Sequence, residues 1–432
     1  MIQMTLKALS VRAGLGLYER QARDLIRAYR ARDPEALRCI RQHHPRLPGR
    51  ANTNDRNSVT HSEIRKAKVT LADAQTIVAR WHGFAGWLNL KKHIEALANK
   101  ESCVLKFELA VEAVTRGDLA TLKLLIGNHP ELIRARSTRE HQATLLHYVS
   151  ANGVEGYRQK TPGNAVKIAE MLIKAGAEVD ADLDYGLAGR RLYPERTGST
   201  TLGLVATSVH PAVAGVQIGL LKVLLKAGAD VNGIPGGWNP VIAALHNGRG
   251  DAAMFLANRG ARLDLEGAAG TGRLDALAQF IDRRGKLIRG ATQEQLNYGF
   301  IWACEYGHVK VVRFLIGRKF EPDWDFMHGQ TGLHWAAYGG HTEVVDLLLK
   351  TNAPVNVMDR IHGGTPLGWA VYGWNNPAPE FQNARYAEVV ERLVHAGAVV
   401  DWQWIGSPNR RSSLGEQLRK DRRMMAALRL KE

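Results

Sequence analysis

The stretch Thr331-Gly-Leu-His-Trp-Ala-Ala-Tyr-Gly-Gly-His341, followed by Glu343-Val-Val-Asp-Leu-Leu-Leu349, decides the fold because versions of it recur along the chain. Its tryptophan, Trp335, has counterparts 33 residues earlier at Trp302 and 34 residues later at Trp369. A repeat of this length is one supersecondary unit, which buries its apolar face only by stacking on its neighbours. The period therefore predicts an array of similar units.

Each unit is predicted to be a pair of α-helices. The small residues Ala336 and Ala337 allow two helices to approach closely, and the apolar residues of 343–349 supply the buried stripe of the second helix. Gly340 is expected in the tight turn and Gly228 at a helix end, where only glycine adopts a positive φ at low cost.

Related sequence motifs mark further repeat units upstream. Ala175-Gly-Ala-Glu-Val-Asp180, Ala227-Gly-Ala-Asp-Val-Asn232 and Arg259-Gly-Ala-Arg-Leu-Asp264 end three of them, and weaker copies span residues 112–126 and 266–281. Together with the stretch quoted above, these segments resemble the ankyrin repeat, whose period is about 33 residues. The resemblance implies an all-α solenoid of roughly eight stacked helix pairs with short hairpin-like fingers.

Residues 1–100 lack the motif that ends the repeats and are predicted to be a basic helical region. Asp33-Pro34-Glu35 is typical of a helix start with proline at the first position. Residues 70–93 resemble a helical cap region that accompanies ankyrin repeats in many bacterial proteins, and residues 46–63 are predicted to be a linker. Four arginines are predicted to share one helix face: Arg20, Arg23, Arg27 and Arg30.

The predicted solenoid occupies residues 101–404, and residues 405–432 form a basic C-terminal region. Within that region, residues 413–430 have the pattern of an amphipathic helix that covers the last repeat.

The excess positive charge lies at the two ends of the chain. The formal net charge is +16, yet residues 101–404 carry 31 Lys and Arg against 31 Asp and Glu. Residues 1–100 carry 19 against 8, and residues 405–432 carry 8 against 3. A uniformly basic groove for nucleic acid is therefore not expected in the solenoid. Docking of nucleic acid or another polyanion through the terminal regions is the alternative function.

The composition favours a cytoplasmic protein without a membrane span. No stretch approaches the ~18 uninterrupted apolar residues of a spanning helix, and residues 1–13 lack the features of a secretory signal. Cys39, Cys103 and Cys304 offer neither a disulfide framework nor a Cys-x-x-Cys spacing. A reducing compartment is therefore expected.

No metal or cofactor site is expected. His308 and His341 recur at equivalent positions, as do His147 and His334. Packed helices lie about 8–10 Å apart, which is too far for two such histidines to reach one zinc at about 2.1 Å. We expect them to bond to turn backbone. Asp180-Ala-Asp-Leu-Asp184 is interpreted as a finger, because its following glycine falls one place late for a calcium loop.

No enzyme active site is predicted either. The chain has no Gly-x-Ser-x-Gly, no phosphate loop ending in Gly-Lys-Ser/Thr and no His-Glu-x-x-His. Cys304 stands where Ala337 stands in the next copy, so we expect it to pack. Residues 267–272 have the wrong glycine spacing for a dinucleotide turn and are interpreted as a degenerate helix pair. A catalytic constellation assembled across repeats, which spacing does not reveal, is the third alternative.

Four insertions interrupt the repeats. Residues 154–163, 208–216 and 374–385 stand between two helices of a repeat, where a two-residue turn suffices, and residues 186–198 enlarge a finger. Insertions in repeat proteins often meet partners, but surface loops also tolerate extra length. Both interpretations stay open.

Aromatic residues recur in the last repeats, with three tryptophans at one repeat position and three tyrosines on the following turn. The resemblance places these positions on the concave face, where ankyrin proteins commonly bind partners, and large aromatics dominate interface energetics. The partner-binding candidates are therefore Trp302, Tyr306, Trp335, Tyr338, Trp369, Tyr372 and Trp374. Packing between helices is the alternative for the tryptophans, and for the tyrosines contact and packing both stay open.

The predicted function is a non-catalytic scaffold or adaptor that binds a partner protein through the concave face, especially residues 296–375. Nothing in the sequence indicates a small-molecule substrate.

Overall fold

The computed structural model describes residues 13–45, 68–183, 199–320, 326–400 and 413–428. These residues fold almost entirely into helices. In chain order the α-helices are α1 (Leu15–Arg30), α2 (Pro34–His43), α3 (Leu71–Trp81), α4 (Trp87–Ala98), α5 (Cys103–Arg116), α6 (Leu119–Asn128), α7 (Ala165–Lys174), α8 (Thr201–Thr207), α9 (Val209–Val213), α10 (Gln217–Lys226), α11 (Pro240–His246), α12 (Gly250–Ala257), α13 (Leu265–Gly270), α14 (Leu274–Leu277), α15 (Gln293–Glu305), α16 (Val309–Gly317), α17 (Gly332–Tyr338), α18 (Thr342–Lys350), α19 (Pro366–Asn375), α20 (Tyr386–His395), α21 (Ser413–Lys420) and α22 (Arg422–Ala427).

Short 3-10 helices and one strand pair complete the regular structure of those residues. The 3-10 helices are Pro130–Ile133, His147–Ser150, Gly156–Arg158, Phe326–Gly329 and Pro379–Phe381. β1 (Asp182–Leu183) pairs antiparallel with β2 (Ser199–Thr200), and the strands flank the predicted insertion at 186–198, which lies outside the described residues. The all-α fold class is confirmed. Within the described ranges, no helix combines the length and apolar character that crossing a membrane requires.

The chain divides into two compact units, Met1–Pro240 and Val241–Glu432. In the first unit, helices α1 to α4 share one apolar cluster that fully buries Tyr18 and Leu90. In the second unit, one cluster takes in buried side chains from Leu265 to Leu428. The predicted division into terminal regions and a central solenoid stays a prediction.

The N-terminal region is helical where the structure describes it, and its helix starts follow from the sequence. The first helical residue of α2 is Pro34, and the Asp33 carboxylate accepts a hydrogen bond from the Ala36 amide at 2.9 Å. Ahead of α3, Thr70 and Asp73 form a capping box, which satisfies backbone amides that a helix start leaves free. The four predicted arginines of α1 are all exposed. The predicted linker, residues 46–63, lies outside the described residues.

The recurring histidines stabilise turns, as predicted. In α17 the His334 Nδ1 atom accepts from the Thr331 amide at 3.1 Å, and its Nε2 lies 3.1 Å from the Gly364 carbonyl oxygen. His147 has the same arrangement, with its Nε2 3.0 Å from the carbonyl oxygen of Ala181. Because burial lowers the pKa of His147 to about 3, this imidazole is neutral at pH 7.

The second histidine position connects neighbouring helix pairs. His308 Nε2 lies 3.1 Å from the Gly270 carbonyl oxygen, and His341 Nε2 lies 2.7 Å from that of Glu305. These bonds satisfy carbonyl groups that helix ends leave without intrahelical partners. Gly340 has φ of 69° in the turn beside His341, as the sequence predicted.

The C-terminal segment forms two helices where the sequence predicted one. Asp421 separates α21 from α22, and its carboxylate accepts hydrogen bonds from the Arg423 and Met424 amides at 3.0 and 3.1 Å. Side-chain capping of this kind starts a new helix and so breaks the continuous one. Leu418 and Met424 are fully buried in the cluster of the second unit.

The degenerate segment at 267–272 is a helix pair, as predicted, but a short one. Its helices α13 and α14 have six and four residues. After them the chain makes an isolated bridge between Ile281 and Leu287, and a cavity of about 340 Å³ lies against both residues and Phe320. This part of the second unit therefore has little regular structure and incomplete packing.

Candidate partner-binding site

The last repeats bring five of the seven predicted aromatic residues into one continuous series of ring contacts, here named the aromatic ladder. The ring centroids of Trp302 and Trp335 are 5.8 Å apart, and those of Trp335 and Trp369 are 5.0 Å apart, both edge to face. Tyr338 meets Trp369 edge to face at 6.2 Å and stacks on Tyr372 at 6.4 Å. Edge-to-face and offset-stacked rings are the favoured geometries of aromatic pairs.

Exposure increases along the ladder. Trp302 is only 3% exposed, and its Nε1 donates a hydrogen bond to the Glu266 carboxylate at 2.9 Å. Trp335 and Trp369 are half-buried, whereas Tyr372 is 61% exposed. The tryptophans therefore pack between helices, and the ring surface available to a partner lies at the Tyr372 end.

A rigid turn borders that end. The Asp359 carboxylate accepts from Trp369 Nε1 at 3.1 Å. It also accepts from three backbone amides of its own turn, those of Ile361, His362 and Gly364. Burial raises the pKa of Asp359, but these hydrogen bonds outweigh it and lower the pKa below its usual value. The carboxylate thus stays charged and holds the turn.

The turn also carries exposed apolar side chains. Met358 and Ile361 are both exposed, and the His362 ring lies 6.2 Å from the Trp369 ring. Together, Met358, Ile361, Trp369 and Tyr372 are named the exposed patch. A group of apolar side chains open to solvent is typical of an interaction surface.

Tyr306 does not belong to that surface. It is 9% exposed, and its hydroxyl donates to the Leu245 carbonyl oxygen at 3.2 Å. Its ring lies against Gly250, where a β-carbon would stand 2.5 Å from the ring, so only glycine fits there. Tyr306 and Trp302 are buried and cannot contact a partner directly in this structure. We therefore leave both out of the proposed surface.

Trp374 is half-buried and makes a structural contact. Its Nε1 donates to the Asp421 carboxylate at 3.2 Å, and Asp421 also caps α22. The residue therefore connects the last repeat to the C-terminal helices.

The insertion that begins at Trp374 folds back over the second unit. Its residues 376–385 are named the strap. The Phe381 ring lies 6.1 Å from Tyr306, 5.7 Å from Tyr338 and 5.6 Å from His341, measured between ring centroids. Phe381 is 6% exposed, so the strap covers the surface between these three rings.

Charged groups lie under the strap. Glu380 Oε1 is 3.1 Å from Arg249 Nη1, and both side chains are largely buried. Beside them, burial and then the charge of Glu380 raise the pKa of Glu305 to about 8. Glu305 is therefore protonated at pH 7. Burial also raises the pKa of Glu380 against the opposing effect of Arg249.

The structure also contains a charged cluster that the sequence did not predict. In the first unit, the Arg139 guanidinium contacts both Glu108 oxygens, at 2.5 and 3.2 Å, and also pairs with Glu155. Arg158 Nη2 lies 2.5 Å from Glu108. We name these four residues the buried ion network. None of them is more than 6% exposed.

The network keeps both carboxylates ionised. Burial raises the pKa of Glu108 and of Glu155, but the charges of Arg139 and Arg158 outweigh burial. The pKa of Glu108 is consequently far below its usual value, and that of Glu155 is about 2. Two positive and two negative charges thus compensate each other out of contact with bulk solvent.

Glu155 and Arg158 belong to the insertion at 154–163, which is therefore anchored by buried side chains and is here named the plug. Its Tyr157 ring stacks on Trp81 at 5.8 Å, and Arg139 Nε donates to the His82 carbonyl oxygen at 3.2 Å. The plug and the network thus join the N-terminal helices to the first repeats. This arrangement supports the fold.

The remaining sequence candidates are structural. Cys304 is buried, and burial raises the pKa of its thiol, so its thiolate form is disfavoured and it packs as predicted. Among the described residues, no group of three or more His, Cys, Asp and Glu side chains is placed to hold a metal ion. The insertion at 208–216 contains α9, which exposes Val209 and Val213.

Comparison with known proteins identifies the repeats. Residues 300–402 match the family model of ankyrin repeats in three copies. This segment of the chain consists of ankyrin repeats. The matched residues include the aromatic ladder and the strap, so both belong to ankyrin repeats.

A curated relative also carries the ankyrin-repeat name. The chain is 26% identical over 267 residues to the ankyrin repeat and KH domain-containing protein mask-1 of Caenorhabditis elegans. The match covers 60% of this chain and 9% of that protein. A solved structure, the human ASB11 ankyrin repeat domain, is 20% identical with a TM-score of 0.29, over 66% of this chain and 96% of that one.

Proposed function

We propose that this chain is a non-catalytic scaffold that binds a partner protein through the exposed patch. The observation that carries the proposal is Tyr372, an aromatic residue that is 61% exposed at the end of an otherwise packed ladder. Ankyrin repeats are generally protein interaction modules, which supports a protein as the partner.

The patch has the properties of a preformed binding surface. Stacking on Tyr338 holds the Tyr372 ring, and the hydrogen bond to Asp359 fixes the Trp369 ring. A surface whose side chains are already ordered loses less conformational entropy when it binds. Aromatic residues so placed are the ones that dominate binding energy at interfaces.

We further propose that the protein acts in the cytoplasm and is of the bacterial type. The three free cysteines support a reducing compartment, because Cys39 and Cys304 are buried and unpaired with one another. The resemblance of residues 70–93 to a cap region of bacterial proteins supports the second part of this proposal.

Site-specific photo-crosslinking tests the main proposal. A benzophenone amino acid placed at position 372 of the full chain should crosslink one protein in a lysate of the native host, which mass spectrometry then identifies. Position 88 provides a matched control, because Leu88 is 62% exposed in the first unit. A crosslinked protein that appears equally from both positions would contradict the proposal.

A second function is favoured by the exposed arginines of α1. Arg20, Arg23, Arg27 and Arg30 share one solvent-facing side of the helix, which fits the docking of a polyanion such as nucleic acid. Affinity for a duplex DNA probe should then fall steeply with salt, and replacing the four arginines with glutamine should reduce the salt dependence. Unchanged binding by the glutamine variant would rule out this face.

A further inference from the structure

We infer that the strap occupies the place of a partner segment, and that the surface under it binds an external peptide in which an acidic residue precedes an aromatic residue. The inference rests on the proposed scaffold function and names the chemistry of a partner. Its evidence comes from Phe381, from Arg249 and from how the strap is attached.

Phe381 occupies a seat made of side chains from three other elements. Tyr306 and Tyr338 lie at the ends of two successive first helices, and His341 lies in the turn before α18. A cavity of about 360 Å³ adjoins the seat, lined by Phe381, Glu380 and the turn at 339–342. The seat is therefore shaped for an aromatic ring and has unfilled space beside it.

Arg249 favours a negatively charged group beside the position of the Phe381 ring. Its side chain is nearly buried, so removal of Glu380 would leave a cation with little access to water, which is costly. The neighbouring Glu305 is neutral at pH 7 because burial raises its pKa to about 8. A carboxylate at the position of Glu380 is therefore the group that compensates Arg249.

The strap leaves part of the hydrogen-bonding capacity of the Arg249 guanidinium unused. Although the two charges are 3.1 Å apart, neither Arg249 Nη1 nor Glu380 Oε2 has a hydrogen-bond partner among the described residues. A guanidinium binds a carboxylate best through two parallel hydrogen bonds. An external peptide that is free to adopt this geometry would make a better contact than the strap makes.

The described strap contains little regular structure of its own. Its ordered turn is one short 3-10 helix, Pro379–Phe381, and the amides of Phe381 and Ala384 bond to carbonyl oxygens within the strap itself. Because a tethered segment acts at an effective concentration in the mM range, it reduces the affinity of the seat for external peptides without abolishing it.

A direct binding experiment uses the strap sequence as the probe. A fluorescent peptide of residues 376–385 is titrated into the full-length chain and into the Glu380→Ala/Phe381→Ala variant. We expect the variant to bind the peptide at least tenfold more tightly, because its own strap no longer competes. Peptides carrying E380Q or F381A should each bind at least tenfold more weakly, and Arg249→Gln in the variant should abolish the preference between the native and E380Q peptides.

Equal affinity of wild type and a folded variant, or equal binding of the three peptides, would overturn the inference. If the variant does not fold, the test is made on the wild-type protein by hydrogen exchange. Saturating peptide should displace the strap and speed hydrogen exchange at residues 376–385, and unchanged exchange would count against the inference. Photo-crosslinking at position 372 is independent of this peptide, so the two proposals can fail separately.

Discussion

Two insertions at corresponding places in the repeats have opposite environments. The plug at 154–163 and the strap within 374–385 both replace a short turn between two helices of a repeat. The plug contributes Glu155 and Arg158 to a closed network of four charges. The strap contributes one ring and one ion pair to a surface that it only covers.

The difference shows that the length of an insertion does not decide its role. Removing one member of a buried ion network leaves an uncompensated charge inside the protein. The buried ion pair of the strap joins Glu380 to Arg249 alone, and its neighbour Glu305 is neutral. We therefore expect the plug to open only when the first unit unfolds, and the strap to open locally.

The largest effect is expected from Arg139→Ala, which leaves Glu108 and Glu155 with one guanidinium between them. The free energy of unfolding of the first unit should fall by about 3–5 kcal/mol, as is usual when a buried ion pair loses one partner. Urea denaturation followed by circular dichroism measures the change. Arg116→Ala is the control, because Arg116 is exposed and makes only a helix-surface pair with Glu112. A loss as small as that of the control would mean that the network does not hold the plug.

Hydrogen exchange compares the two insertions within one sample of wild-type protein. Amides at 376–385 should exchange at least about a hundredfold faster than those at 154–163, since local opening requires less free energy than unfolding of a unit. Mass spectrometry of peptic fragments provides both rates. Similar protection of the two segments would remove the distinction between plug and strap.

The two regions should also respond to pH in opposite directions. The raised pKa of Glu305, about 8, means that the folded state retains a proton that the unfolded state loses near its ordinary pKa of 4.5. The stability of the second unit should therefore fall as pH rises between about 4.5 and 8 and then level off. Glu305→Gln should remove this dependence, as measured by urea midpoints at several pH values. An identical slope in the variant would show that another group is responsible.

In the first unit, stability depends on pH in the opposite direction. The lowered pKa of Glu155, about 2, stabilises the folded state above its ordinary pKa of 4.5. That stabilisation should be lost as pH falls from about 4.5 to 2. Acid unfolding of Glu155→Gln should depend less on pH over this range than that of wild type.

A smaller difference is expected inside the second unit. The short helices α13 and α14 and the bridge at Ile281 should exchange about tenfold faster than residues 331–400, because stability in a repeat array varies with each unit and its neighbours. The same exchange experiment provides these rates. Equal protection of both segments would mean that packing compensates for the short helices.

The repeats and their caps could be predicted from the sequence because they depend on near neighbours. Asp33 caps α2 three residues away, and His334 bonds within its own turn. The buried ion network could not be predicted, since Arg139 and Arg158 reach Glu108 from 31 and 50 residues away. Ion pairs between residues this far apart in the chain produce no recognisable spacing in the sequence.

The positions of the recurring aromatic residues follow from the sequence, but their exposure does not. Tyr338 and Tyr372 each lie three residues after a repeat tryptophan, whereas Tyr306 lies four residues after Trp302. Tyr306 is 9% and Tyr372 is 61% exposed. Gly250 packs on the Tyr306 ring, and the Phe381 ring lies against it. Both are tertiary contacts outside the repeat pattern.

The most direct test of the proposed binding surface measures partner binding and the free energy of unfolding of the Tyr372→Ala variant. The Trp302→Ala variant is measured for comparison. Once the partner is identified, Tyr372→Ala should weaken binding by about 2 kcal/mol or more and change the free energy of unfolding by no more than about 0.5 kcal/mol. Trp302→Ala should instead destabilise the fold by about 3–5 kcal/mol. A Tyr372→Ala chain that binds its partner as tightly as wild type would contradict the claim that the exposed patch is the binding surface.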